Sequence, residues 1–213
     1  MRSPLFIRGK MSKDTIQQFF KNQFDEHIKI AEKTSENIYP AFKEIVEICS
    51  DALKKGKKIL FFGNGGSASD SQHLATELTV RFSQNRAAIS AIALTTDTST
   101  LTAIGNDFGF KYLFSRQVEA IGNSGDVSIG ITTSGKSENI LLGIKKSKEM
   151  GLKTIAFTGK NKINLDILCD AVISIPANNT SRIQEMHITV GQMLCNALEH
   201  NLGLSELVKE EKV

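Results

Sequence analysis

Polar and apolar positions follow two different rhythms along this chain. Up to Lys55 the apolar residues recur every three to four positions, and Ile38, Phe42, Ile45, Val46, Cys49 and Leu53 form one stripe at helical spacing. This rhythm predicts two helices, over residues 13–33 and 36–55, folded back on each other as a hairpin. Beyond Gly56 short apolar runs take over: KKILFF, AISAIAL, DVSIGIT, KTIAFTG and DAVISIP. Each is short enough to be buried on both faces, and helix-length links separate them. They predict a flavodoxin-like α/β domain, a five-stranded parallel sheet flanked by helices. A last long helix is expected from near Ser181 to a stop at Gly203. Within it Ile183, Met186, Val190, Leu194 and Ala197 make the core stripe, and Gln184, Ile188, Gln192 and Cys195 an adjacent face.

No repeat, low-complexity block or linker divides the chain, so residues 11–204 are expected to form a single domain. Its parts are the helical hairpin over 11–56 and the α/β core over 57–204. Residues 1–10 read as a disordered basic extension and residues 205–213, SELVKEEKV, as a frayed tail. At 213 residues, 40% hydrophobic and 23% charged, the chain suits one globular domain with a full core. Its net charge of +3 resides in Arg2, Arg8 and Lys10, and the remaining 23 bases match the 23 acids. A generic nucleic-acid surface is therefore not expected. The leader offers only LFI as an apolar core, too little for a signal peptide, and no run nears the ~18 apolar residues of a membrane span, so the expected location is cytoplasmic. Cys49, Cys169 and Cys195 are odd in number and scattered through apolar segments, which favours buried free thiols.

Candidate chemistry gathers in the loops after the strands. In GNGGSASDSQH, residues 63–73, Gly63, Gly65 and Gly66 let backbone amides approach a ligand, and Ser67 and Ser69 stand at a helix N-terminus, where an anion is favoured. Gly63, Gly65 and Ala68 fit a dinucleotide fingerprint, but the acid that motif needs about 20 residues on is missing; Asp97 comes more than 30 residues later. GITTSGKS, residues 130–137, fits the P-loop pattern, yet Gly130 falls inside an expected strand and no later strand ends in a clear magnesium-binding acid. A small phosphate ester suits both loops better, held by the hydroxyls of Thr132, Thr133, Ser134 and Ser137 and the positive end of the following helix.

His73, Glu77 and Arg81 follow one another at i, i+4 steps. That spacing serves either a solvated face with a Glu–Arg pair or one half of a zinc site, since zinc accepts imidazole nitrogen and carboxylate oxygen. Asn106 and Asp107, in IGNDFGF, read by themselves as a turn. Gln184 and Gln192 lie about 80° apart around the last helix and about 12 Å apart along it. They border one cleft only if their side chains lean inward or come from different subunits. His187, about 140° from Gln192, is expected to pack beside the core.

Taken together, GNGGSASDSQHLATEL, LTAIGNDFGFKYLFSRQVEA, GDVSIGITTSGKS and RIQEMH resemble the SIS (sugar isomerase) domain family, and within it the phosphoheptose isomerases. The resemblance runs from about residue 15 to residue 203. It implies conversion of D-sedoheptulose 7-phosphate to D-glycero-D-manno-heptose 7-phosphate, the first step toward ADP-heptose and lipopolysaccharide, by a homotetramer with active sites between subunits and one Zn²⁺ per site. By position it implies that Asn64, Gly65 and Gly66 contact substrate, that Ser67 with Thr132, Thr133, Ser134 and Ser137 holds phosphate, and that Asn106 and Asp107 bind the sugar. His73, Glu77, Gln184 and position 192 match zinc ligands, Gln184 also borders the substrate, Glu77 matches the principal acid/base, and Arg81 a subunit-boundary arginine.

One position departs from that pattern. The family carries a second histidine, ligand and acid/base, where this chain has Gln192, and an amide does not titrate. Losing such a group typically costs ~10²–10⁴ in rate. The same departure raises an alternative, a non-catalytic SIS scaffold like the DnaA initiator-associating protein, which has asparagine there. Against it, this chain keeps the serines of both loops and Glu77, which that scaffold lacks.

Overall fold

The computed structural model describes residues 12–204; the expected basic extension and the frayed tail lie outside the described residues. The first element corrects an expectation: α1 is one continuous 42-residue helix, Lys13–Lys54, and not a hairpin. The polar string around Thr34 looks like a break, but its side chains satisfy themselves on the helix. Thr34 donates to the Ile30 carbonyl (2.7 Å), Ser35 to Glu32 (2.8 Å) and Asn37 to Lys33 (2.6 Å), so the backbone ladder runs on past them. Ser12 caps the start by accepting from the Thr15 N–H, and Pro40 is tolerated inside. From Ile30 and Ala31 onward the helix packs on the core, and its buried residues there are Ile38, Ile45, Val46, Cys49 and Ala52.

The chain then alternates: β1 (Ile59–Gly63), α2 (Gly66–Thr79), β2 (Ala91–Ala93), α3 (Thr98–Asp107), α4 (Leu113–Ile121), β3 (Val127–Thr132), α5 (Glu138–Glu149), β4 (Lys153–Thr158), α6 (Ile163–Leu168), β5 (Ala171–Ser174) and α7 (Thr180–Asn201). The five strands are parallel, in the order β2-β1-β3-β4-β5. All five expected strands and the last helix are present. Successive strand residues face opposite ways and build two cores. Phe61, Ile129, Ile155, Phe157 and Ile173 pack under α1, α2 and α7, while Leu60, Phe62 and Ala156 pack under α3, α4, α5 and α6.

Gly130 sits inside β3, where a Cβ would meet the Ile144, Ile140 and Phe62 side chains at 2.9–3.1 Å. It is a packing glycine, so the apparent P-loop pattern does not form a P-loop. Sheet order also creates the site. From β1 the chain steps outward to β2, then returns across β1 to β3, leaving a crevice between the loops that follow β1 and β3.

Candidate active site

Gly63 and Ile131 are paired neighbours at the ends of β1 and β3, so both candidate phosphate loops open side by side. In the first, a Cβ at Gly63 would lie 2.6 Å from the Ser67 carbonyl oxygen, and Gly65 has φ +55°; neither position accepts a side chain without strain. Ser67 is buried in the first turn of α2. In the second loop the Thr132 hydroxyl lies 3.3 Å from Ser137 Oγ and 3.5 Å from Ser134 Oγ, and Ser134 also accepts the Lys136 N–H at 3.2 Å. Thr133 contributes its carbonyl, which accepts the Gly159 N–H at 3.3 Å. Three hydroxyls thus converge beside the positive end of α5, facing a second helix N-terminus that carries Ser67.

Helices α2 and α7 run alongside each other in step. A Cβ at Gly66 would touch the Gln184 amide, and one at Gly191 would touch Leu74. His73 meets Gln192, and further on the Phe82 N–H donates to Glu199. His73 Nε2 lies 2.9 Å from Glu77 Oε1 and 2.5 Å from the Gln192 amide nitrogen. An imidazole, a carboxylate and an amide therefore share one point; the His73 side chain is 48% exposed and that of Glu77 24%. Gln184 sits over the first loop instead, against Gly66, seven residues and about 10 Å along α2 from His73 at 1.5 Å per residue. One turn before His73, Asp70 buries a carboxylate oxygen that has no hydrogen-bond partner. Burial raises its pKa, with His73 acting in the opposite direction.

Glu77 turns its carboxylate to His73, and Arg81 lies exposed just past the end of α2. The base that engages this segment is Arg86, which sequence spacing does not single out. Its guanidinium donates to the carbonyls of Glu77 (2.8 Å) and Leu78 (2.7 Å) and to Glu199 Oε1 (2.6 Å). The side chains of Arg86 and Glu199 are 2% and 0% exposed. Burial by itself would raise the Glu199 pKa, but the Phe82 N–H, Arg86 and the Ser83 hydroxyl together hold it below the usual carboxylate value.

At the end of α3, Asn106 donates to Asp107 at 2.7 Å, and both are exposed. Asp107 also lines a cavity of about 450 Å³ on the β2 side with Ile92, Thr96, Asp97 and Arg116, a lining that shares no residue with the two loops. As expected, His187 is buried beside the core, its ring 5.9 Å from that of Phe157. Burial pushes its pKa down to about 4, the Thr158 backbone acting weakly the other way.

Among the described residues no three His, Cys, Asp or Glu side chains are placed to hold a metal ion by themselves. The donors at His73 are one imidazole nitrogen and one carboxylate oxygen, with the Gln192 amide beside them; Gln184, expected as a fourth ligand, lies at Gly66 and is not part of this set. That set fits a single divalent cation such as zinc, with two strong ligands where structural zinc sites have four.

Two hydroxyl-bearing loops at the switch point of a doubly wound sheet, with an acid–base pair farther along α2, suit an α/β protein that holds a phosphate ester. Residues 22–159 match the SIS domain model. Over 181 residues the chain is 49% identical to the phosphoheptose isomerase of Paramagnetospirillum magneticum, covering 85% of this chain and 94% of that protein. The solved phosphoheptose isomerase GmhA from Neisseria gonorrhoeae superposes with TM-score 0.82 at 38% identity, over 87% of this chain and 100% of that one. The corresponding structure from Francisella tularensis gives 0.84 at 33%, over 87% and 99%. The chain belongs to the SIS domain family and, within it, to the phosphoheptose isomerases, which are enzymes; this kinship does not favour the initiator-binding alternative.

Proposed function

We propose that this chain is an aldose–ketose isomerase that converts D-sedoheptulose 7-phosphate to D-glycero-D-manno-heptose 7-phosphate. The observation that carries the reading is the separation of two functions along α2. Its N-terminus belongs to the hydroxyl-lined crevice, and Glu77 stands beside His73 two to three turns on. A substrate with phosphate on C7 and reactive carbons C1 and C2 needs its anion holder and its proton carrier at opposite ends of one site.

In the mechanism, Ser67, Thr132, Ser134 and Ser137 hold the phosphoryl group, with Thr133 at the rim of the same loop. Asn106 and Asp107 bind hydroxyls of the sugar, and Arg81 closes the site from a neighbouring subunit. Glu77, beside His73, removes the C1 proton and returns it to C2 by way of an enediol, while a second proton passes from the O1 hydroxyl to O2 through solvent water, leaving the aldehyde at C1 and a hydroxyl at C2. Gln192 does not titrate, so its part is to orient His73 and hydrogen-bond a substrate hydroxyl. His73 and Glu77 would hold zinc, with the amide oxygen of Gln192 as a neutral ligand, while Gln184, set against Gly66, stands on the substrate side of the site; the ion, if bound, would polarise the carbonyl.

The assembly read for this enzyme is a homotetramer, supported by the exposed Ile16, Phe19, Phe20, Phe24 and Ile28 of α1. No described helix is long and apolar enough to cross a membrane, and a cytoplasmic role at the first step toward ADP-heptose suits the activity. Proton NMR of the protein with sedoheptulose 7-phosphate and zinc in D₂O tests the activity directly. Deuterium incorporation with appearance of the aldose is expected; neither, with the phosphate still bound, would overturn it.

A further inference from the structure

The crevice between β1 and β3 is crossed by two side chains that the phosphate reading leaves without a task. Asn64 follows β1, and Asn139 lies in the first turn of α5, 75 residues away in sequence. Asn64 Nδ2 donates to Asn139 Oδ1 at 2.9 Å, and Asn139 Nδ2 donates back to Asn64 Oδ1 at 2.8 Å. Each amide is donor and acceptor to the other, a closed pair that two carboxamides form and that neither aspartate nor an aliphatic residue completes. Asn139 is only 3% exposed, so its head group has no water to turn to. Asn64 likewise commits one N–H and one carbonyl lone pair of its head group to the protein.

Both ends of this pair lead directly to phosphate-loop hydroxyls. The Asn64 carbonyl accepts the Ser67 N–H at 3.0 Å, so the position of Asn64 sets the first turn of α2 and with it Ser67. On the other side the Ile140 and Leu141 N–H groups bond the Ser137 carbonyl at 3.1 and 3.0 Å, closing the turn in which Asn139 lies. Ser137 Oγ in turn faces Thr132 Oγ1. No other side-chain hydrogen bond among the described residues joins Asn64 to α5.

We propose that Asn139 is a positioning residue: its reciprocal amide pair with Asn64 ties the two hydroxyl-bearing loops together at the separation one phosphate group requires. This deepens the proposed function and rests on the reading that both loops hold the same phosphate. Without the pair, each loop must be ordered by the ligand itself, and affinity for the anion falls.

The test is a double-mutant cycle with Asn64→Ala, Asn139→Leu and the double variant, Asn139→Leu being chosen because it retains the buried volume. Inorganic phosphate binding is titrated on each protein, KM and kcat are measured with sedoheptulose 7-phosphate, and thermal melts check folding. Asn139→Leu is expected to raise the phosphate Kd and the KM about tenfold, well beyond any fall in kcat, as loss of the net value of one or two hydrogen bonds implies. Shared action predicts a double variant no weaker than the worse single one. Unchanged phosphate affinity in a folded Asn139→Leu, multiplicative losses in the double variant, or a wild-type protein that binds no phosphate would each overturn the proposal. Coupled phosphate binding in a protein that does not isomerise the sugar would sustain it and sink the isomerase reading instead.

Discussion

Exchanging Glu77 for glutamine replaces one carboxylate oxygen by an amide and leaves the outline of the site intact. If Glu77 carries the C1/C2 proton, Glu77→Gln lowers turnover by about 10²–10⁴-fold while inorganic phosphate still binds, because the anion-holding hydroxyls lie about 10 Å or more away along α2. Gln192→Xaa changes probe the same point from α7. Gln192→His puts a titratable ring against His73, and deuterium exchange at C1 is expected to speed up by about tenfold or more, read by the same NMR assay. At this scale much was legible: His73, Glu77 and Ser67 stand out by local spacing and loop chemistry. Asn139, Arg86 and Glu199 do not, because their partners lie 75 to 113 residues away and nothing local marks the pairing.

Helix α7 is where burial and charge meet. His187 is neutral and packed on Phe157, and Glu199 is ionised and held by Arg86, Ser83 and the Phe82 N–H. Both groups make folding sensitive to acid, in successive windows. The unfolded chain protonates His187 below about pH 6.5, whereas the folded chain does so only near pH 4, so unfolding takes up a proton between those values and stability falls as pH drops through them. The size is of the order of 3 kcal/mol. Glu199, with its folded pKa below the ordinary carboxylate value, adds stability present above about pH 4.5 and lost as the pH falls further. Urea denaturation at stepped pH should show both limbs. In His187→Leu the slope between pH 6.5 and 4 should flatten while the lower limb remains; an unchanged upper limb would remove His187 as its cause. Element boundaries teach a related lesson at α1. Thr34, Ser35 and Asn37 have the composition of a break, but the carbonyl each one caps is on its own helix.

For the molecule as a whole, the N-terminal half of α1 is the unfinished surface. The rings of Phe20 and Phe24 pack tilted against each other, centroids 4.8 Å apart, on a face that also exposes Ile16, Phe19 and Ile28. An apolar stripe of this length on one exposed helix is costly in water and suits burial against further copies of the chain. Light scattering should give the mass of four chains, and Phe20→Asp combined with Phe24→Asp should shift it to a smaller species. A wild-type mass of one chain would refute the tetramer.

The sequence alone determined the periods, and with them the five buried strands, the parallel α/β class, the two glycine- and hydroxyl-rich loops and the i, i+4 run of His73 and Glu77. These are local properties: a strand buried on both faces must be apolar throughout, and a loop that admits an anion must carry small residues and hydroxyls. The tertiary structure alone decided that α1 runs unbroken, that Gln192 reaches His73 while Gln184 lies at Gly66, and that Asn64 pairs with Asn139. Those outcomes depend on strand order, which sets β1 beside β3, and on α2 lying in step with α7; neither is written in the period of any single segment.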